Sequence, residues 1–150
     1  MARILHILVA EDDANDRALL NLACRGESIP AELHIVQDGE QAIQYLQGVS
    51  QFADREKFPF PDLLLLDLKM PRLGGMDVLQ WVRGQASCGA LPSVMLSGSG
   101  LPKDIQEAYR LGANGYFRKP SSVGALTALL RTLANYWLMN ERPYIESFSR

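Results

Sequence analysis

A doubly wound α/β domain, a parallel sheet with helices on both faces, is the fold that this 150-residue chain predicts. Two observations predict it. Short runs rich in Ile, Leu and Val alternate with stretches whose apolar residues recur at helical spacing, and they do so five times. Two of the strand-like runs, "ILHILVA" and the leucines of "PDLLLLD", are also apolar at nearly every position, as strands buried on both faces must be. With 47% hydrophobic and 21% charged residues, the composition is ordinary for one globular domain with a sizeable core.

Each element follows in order. "ILHILVA" (4–10) is the first strand, and Leu19, Leu22 and Ala23 mark a helix over 14–27. A short second strand (about 32–36) stops at Asp38-Gly39, and Ala42, Tyr45, Leu46 and Val49 repeat at i, i+3, i+4, i+7 in a second helix. "PDLLLLD" is the third strand, and Met76, Leu79 and Val82 carry a third helix from Gly75 onward. "LPSVMLSG" is the fourth strand. Pro102 suits a helix start, with Ile105, Ala108 and Tyr109 following and Gly112 as a stop. "GYFRKP" is a short fifth strand, and Leu126, Leu129, Leu130, Leu133 and Trp137 give the last helix its stripe.

Several functions are disfavoured at this level. A net charge of -2 provides no concentrated cationic surface for a nucleic-acid backbone, so DNA is not expected as a partner. No apolar run is long enough to span a bilayer. In "MARILHILVAEDD" acids follow the apolar segment at once, which reads as a core strand and not a signal peptide. Cys24 and Cys88 have no metal or redox spacing and read as unpaired thiols in a reducing cytosol. His6 and His34 read as strand residues without chemistry.

In sheets of this kind ligands gather beyond the carboxyl ends of the strands. Glu11-Asp12-Asp13 end the first strand, Asp67 the third, Ser97-Gly98 the fourth and Lys119-Pro120 the fifth. Neighbouring strands lie about 4.8 Å apart, so Asp12 and Asp67 reach one ion if their strands are adjacent. Clustered carboxylates need a compensating cation, and an all-oxygen set suits Mg²⁺ or Mn²⁺. Asp67 can accept a phosphoryl group as an acyl phosphate, with Lys119 and Ser97 placed for the phosphate oxygens. Asp13 reads mainly as a helix N-terminal residue.

These residues resemble the receiver domain of two-component response regulators. The match runs through "ILVAEDD", "PDLLLLDLKMPRLGGMDVL", "PSVMLSG" and "GANGYFRKP" in order, over roughly residues 4–138. The pattern Asp67, Met70, Pro71 and Gly75, joined to a distal Lys119-Pro120, is its most specific part. "DIQEAYRLGANGYFRKP", the long loop before the third strand and "YWL" look closest to stand-alone receivers of the phytochrome-associated type. The resemblance implies a flavodoxin-like receiver fold with five parallel strands in the order 2-1-3-4-5. It implies Asp67 as phosphoacceptor, with Mg²⁺ or Mn²⁺ held by Glu11, Asp12, Asp67 and the backbone carbonyl of Lys69. It makes Ser97 the switch hydroxyl, Lys119 the phosphate-binding lysine and Tyr116 the switch aromatic. Three positions depart from the common pattern: Glu11 where many receivers have Asp, Gly98 where Ala is usual, and a cation at Lys69.

The expected protein is a cytoplasmic receiver domain (1–140) with a short tail (141–150) and no output domain. It is a signalling phosphoprotein, not a turnover enzyme, that takes a phosphoryl group from a sensor histidine kinase, phytochrome-like by the same resemblance. The fourth helix, fifth strand and fifth helix (roughly 102–138), or the tail, would form a homodimer or partner contact. An Asp-nucleophile phosphatase wants a second acid two residues on, where Lys69 stands. A phosphate-independent interaction module remains as the other alternative. The loop "GVSQFADREKFPFP" (48–61) either folds its rings onto its own domain or presents them to a partner. The cis or trans state of Lys119-Pro120 is open at this level.

Overall fold

The computed structural model describes residues 3–25 and 29–143. Five strands, β1 (Leu5–Ala10), β2 (Ala31–Val36), β3 (Leu63–Leu66), β4 (Ser93–Ser97) and β5 (Gly115–Arg118), form one parallel sheet. Their order is β2-β1-β3-β4-β5, as expected. Five helices alternate with them: α1 (Ala14–Cys24), α2 (Gly39–Gln47), α3 (Gly75–Arg83), α4 (Pro102–Arg110) and α5 (Val123–Met139).

Leucines at both parities of β3 explain why it lies central. Leu64 and Leu66 enter the layer beneath α2 and α3 with Tyr45, Val78 and Leu79. Leu63 and Leu65 enter the layer beneath α1 and α5 with Leu20, Leu130 and Leu133. All four are at most 1% exposed, so each contributes the roughly 1.5–3 kcal/mol of a fully buried aliphatic side chain.

The structure amends four details of the expected pattern. Helix α1 ends at Cys24, with Arg25 as its cap, and the rest of the expected 14–27 span partly lies outside the described residues. Its buried residues are Leu20 and Ala23, while Leu19 and Leu22 are exposed. The sequence spacing fits two helical faces, and packing against α5 selects one. Val49 lies beyond α2, past the left-handed cap at Gly48, and is exposed. On α4, Ala108 is the buried contact and Tyr109 points outward.

The 48–61 loop folds onto its own domain. Phe52 is buried, and Phe58 and Phe60 pack against the same core. Tyr45, Phe52 and Phe58 form a ring cluster with centroids 5.1–5.9 Å apart. Arg55 fastens this loop to the end of α2: its guanidinium donates to the carbonyls of Tyr45 (2.8 Å), Leu46 (2.8 Å) and Phe58 (3.3 Å). These carbonyls include ones that a helix terminus leaves without an intrahelical partner. At the start of the tail Arg142 reaches back to Asp62 at 2.6 Å; residues 144–150 lie outside the described residues.

Candidate functional site

At the carboxyl end of the sheet, the parallel register fixes which side chains meet. The Asp67 N–H donates to the Ala10 carbonyl and the Glu11 N–H to the Val36 carbonyl, both at 3.0 Å. These bonds extend the ladder one residue past β3 and β1, so Glu11 and Asp67 leave adjacent strands side by side. Glu11, Asp12 and Asp67 each bring a carboxylate oxygen within 4.8 Å of the others. Glu11 is 2% exposed and Asp67 7%, whereas Asp12 is exposed.

Lys119 enters from the end of β5. Its Nζ lies 2.8 Å from Glu11 Oε1, 2.7 Å from Asp16 Oδ2 and 3.3 Å from Asp67 Oδ2. Its backbone N–H donates to the Ser97 carbonyl at 2.8 Å, and the Lys119–Pro120 bond is trans. The acids respond to burial more than to this cation. Burial pushes the Glu11 carboxyl up to about 7, against the pull of Lys119. Burial likewise raises Asp67, again opposed first by Lys119. Burial alone would lower the Lys119 ammonium, but its contacts with Asp16 and Glu11 and the charge of Asp67 outweigh that and hold it above its ordinary value.

Glycine shapes the turn that follows Asp67. A Cβ on Gly75 would lie 2.3 Å from the Asp67 carbonyl oxygen, so only glycine lets α3 start this close to the acid. The Gly75 N–H donates to the Leu68 carbonyl (3.0 Å), and the Gly74 N–H to Asp77 Oδ2 (3.0 Å). Met70 is buried beneath the turn.

Ser97 is buried (2% exposed) at the end of β4. Its hydroxyl oxygen accepts from the Ser99 N–H at 3.1 Å. Ser99 also donates its hydroxyl to Asp104 Oδ2 (2.5 Å), and its carbonyl accepts from the Tyr116 hydroxyl (2.8 Å). Asp67, Lys69, Ser97, Lys119 and the Gly98–Leu101 loop together line an open crevice of about 440 Å³. Asp13 caps α1 through its Oδ1, which accepts from the Asp16 N–H at 2.9 Å.

The site expected from sequence therefore comes together. Glu11, Asp12, Asp67 and Lys119 form one cluster, Ser97 and Lys69 line the same crevice, and Tyr116 is joined to it through Ser99. Two residues were not anticipated. Asp16, in the first turn of α1, reads from sequence as an acid suited to a helix N-terminus, and nothing in that reading pointed to its contact with Lys119. Ser99 had no sequence signal beyond its place in "SGSG".

The donor set fits a hard divalent ion. Three carboxylates supply only oxygen ligands, and burial raises two of them against the pull of Lys119, which a bound cation would offset.

A five-stranded 2-1-3-4-5 parallel sheet with an acidic cluster, a buried hydroxyl and a lysine at its carboxyl end defines the receiver class of phosphate-handling signalling domains. The chain belongs to the response regulator receiver domain family, whose model matches residues 7–131. Response regulator Rcp1 of Synechocystis sp. is 31% identical over 132 residues, 88% of each chain. The crystal structure of the Mn²⁺-bound form of Rcp1 aligns with a TM-score of 0.77 at 29% identity, covering 93% of this chain and 99% of that one. Response regulator RPA3017, from red light signalling of R. palustris, aligns with a TM-score of 0.86 at 38% identity over 93% of this chain and 99% of its own. The phosphorylated cyanobacterial phytochrome response regulator RcpA gives 0.81 at 30% identity, with the same coverage. Among the described residues no helix is long and apolar enough to cross a membrane.

Proposed function

We propose that this chain is a phosphoacceptor signalling domain in which Asp67 receives a phosphoryl group from the phosphohistidine of a sensor kinase. The carrying observation is the position of Asp67, nearly buried at the tip of β3, 3.3 Å from the Lys119 ammonium and within 4.8 Å of the carboxylates of Glu11 and Asp12. An Asp67 carboxylate oxygen attacks phosphorus, the phosphorus–nitrogen bond breaks, and the imidazole leaves with its electron pair. Glu11, Asp12, Asp67 and the Lys69 carbonyl are the residues that would hold Mg²⁺ or Mn²⁺. The ion, when bound, neutralises charge on the transferring phosphoryl oxygens. Lys119 supplies a second positive charge beside Asp67, partly desolvated and oriented by Glu11 and Asp16.

Phosphorylation then draws on Ser97. Its hydroxyl donates to a phosphoryl oxygen on Asp67, and the turn of the side chain toward that oxygen carries it away from the Ser99 N–H. The loop after β4 moves with it, and the Tyr116 hydroxyl loses the Ser99 carbonyl. The α4–β5–α5 face, where Leu101, Tyr109, Phe117 and Tyr136 are exposed, changes shape for a partner or a second copy. The likeness to the cyanobacterial phytochrome response regulator RcpA, and to a response regulator of red light signalling, supports a phytochrome-type kinase as donor. The role is signalling and not steady turnover, in keeping with Lys69 standing where an Asp-nucleophile phosphatase places its second acid.

Asp67→Asn tests the assignment. Wild type incubated with acetyl phosphate and Mg²⁺ gains one acid-stable, base-labile phosphoryl group by intact mass; the variant gains none. Equal labelling of both would refute the assignment, and equal labelling of wild type in excess chelator would refute the metal requirement.

A further inference from the structure

His6, Glu32 and His34 meet at the opposite end of the sheet from the acidic crevice. In the β1–β2 register His6 pairs with Glu32, and Leu8 with His34. Side chains two apart on a strand share a face, so Glu32 and His34 project together, as do His6 and Leu8. The His34 ring lies 5.9 Å from that of Tyr45, placing the group on the α2 face. His6 Nδ1 and His34 Nε2 are 3.1 Å apart, and Glu32 Oε1 is 3.7 Å from the same His34 nitrogen. One ligand atom from each of the three lies within 4.8 Å of the others.

A hydrogen bond between the rings explains the first distance alone. The second distance, 3.7 Å, is too long for a carboxylate hydrogen bond and is a loose ion pair only when His34 is protonated, on a nitrogen that already faces His6. The two distances, 3.1 and 3.7 Å, fall on either side of the edge of a tetrahedral coordination polyhedron. Ligand atoms 2.0–2.1 Å from one tetrahedral ion stand roughly 3.3–3.4 Å apart. Two imidazoles and one carboxylate are a donor set for borderline ions, not for Mg²⁺.

The frame is rigid where the rings sit and open where a ligand would enter. The His6 N–H donates to Asp62 Oδ2, and its carbonyl accepts from the Asp62 N–H, both at 2.8 Å. The His34 side chain is 10% exposed, whereas Glu32, on the edge strand, is 59% exposed. We propose that His6, His34 and Glu32 form a binding site for a divalent transition-metal ion of the Zn²⁺ class, with its remaining position open to water at the β2 edge. The site is separate from the phosphoacceptor crevice and clips β1 to β2.

The test uses the full chain with any affinity tag removed, in excess Mg²⁺ to occupy the acidic crevice. Zn²⁺ is titrated by calorimetry, and Co²⁺ by its visible absorption. Wild type and Asp67→Asn are expected to bind one Zn²⁺ equally and to give the intense visible bands of low-coordinate Co²⁺. His6→Gln and His34→Gln should weaken binding at least about tenfold, the lower end of what loss of even an outer-shell partner costs. Glu32→Gln, on an exposed side chain that folding does not need, should weaken it and alter the Co²⁺ spectrum. In wild type labelled with ¹⁵N-histidine, Zn²⁺ should move the ring nitrogen signals of both His6 and His34. Zn²⁺ that leaves those signals in place, or binds Glu32→Gln and the folded His variants as tightly as wild type, would overturn the site.

Discussion

At Lys119 one ammonium faces three carboxylates, from Glu11, Asp16 and Asp67. Two of the acids belong to the group expected to hold a metal, and Asp16 stands outside it. Asp16 therefore keeps a hold on the lysine whatever occupies the metal position, which leaves Lys119 in place beside Asp67. Gly75 constrains the same site by what it lacks. Its missing Cβ would sit 2.3 Å from the Asp67 carbonyl oxygen and 2.8 Å from the Met95 methyl; the methyl can swing aside, but the Asp67 backbone cannot yield cheaply. Gly75→Ala is expected to destabilise the domain by about 1–3 kcal/mol, the usual cost of overpacking. The cost will appear as a lower urea midpoint, together with slower labelling of Asp67 by acetyl phosphate. An unchanged midpoint would mean that the turn adapts without strain.

The elements show what could be read from sequence and what could not. Strand β3 was legible because four consecutive leucines suit only a position buried on both faces, and its end at Asp67 located the site. Glu11 and Ser97 were legible for the same reason, each ending a recognisable apolar run, and Lys119 by its place before Pro120 at the end of the fifth strand. Helix α1 was read less well, since Leu19, Leu20, Leu22 and Ala23 permit two faces and only contact with α5 chooses Leu20 and Ala23. Arg55 was not legible at all. Nothing in "FADREKF" announces a guanidinium that closes α2 and holds three carbonyls up to ten residues away, because such bonds depend on tertiary placement. Arg55→Ala should cost about 1.5–3 kcal/mol, the range for hydrogen bonds to a charged group. Hydrogen exchange would locate the loss, with faster exchange in the 48–61 loop and the last turn of α2 while the amides of β4 and β5 stay protected. Uniformly faster exchange would mean that the loop and sheet unfold together.

For the whole molecule, the buried acids make stability depend on pH in an unusual direction. Glu11 has an ordinary value of 4.5 and is pushed up to about 7 in the fold. Between those values the folded state holds more protons than the unfolded chain, so stability falls as pH rises through that window. Asp67, also raised by burial, acts in the same sense. Lys119, raised above its own ordinary value, stays charged throughout and adds no slope there. Without divalent ions, the urea midpoint is expected to be higher at pH 5 than at pH 7.5. Saturating Mg²⁺ should raise the pH 7.5 value and flatten the difference, because it binds the ionised carboxylates. His34, lowered by burial, contributes the opposite slope below its ordinary value, so a flat or rising profile without metal would show that His34 outweighs the two acids or that Lys119 satisfies them. The hydrogen bonds of Ser99 also set a scale for the proposed response. Its N–H and carbonyl are the links between Ser97 and Tyr116, and each such bond is worth about 1 kcal/mol. Two of them favour the resting arrangement by about thirtyfold, since 1.4 kcal/mol is a factor of ten. A bias of that size leaves a few per cent of molecules in the other arrangement at any moment. The domain would then behave as a dimmer and not a latch, its output set by how much partner is present as well as by how much phosphate it carries.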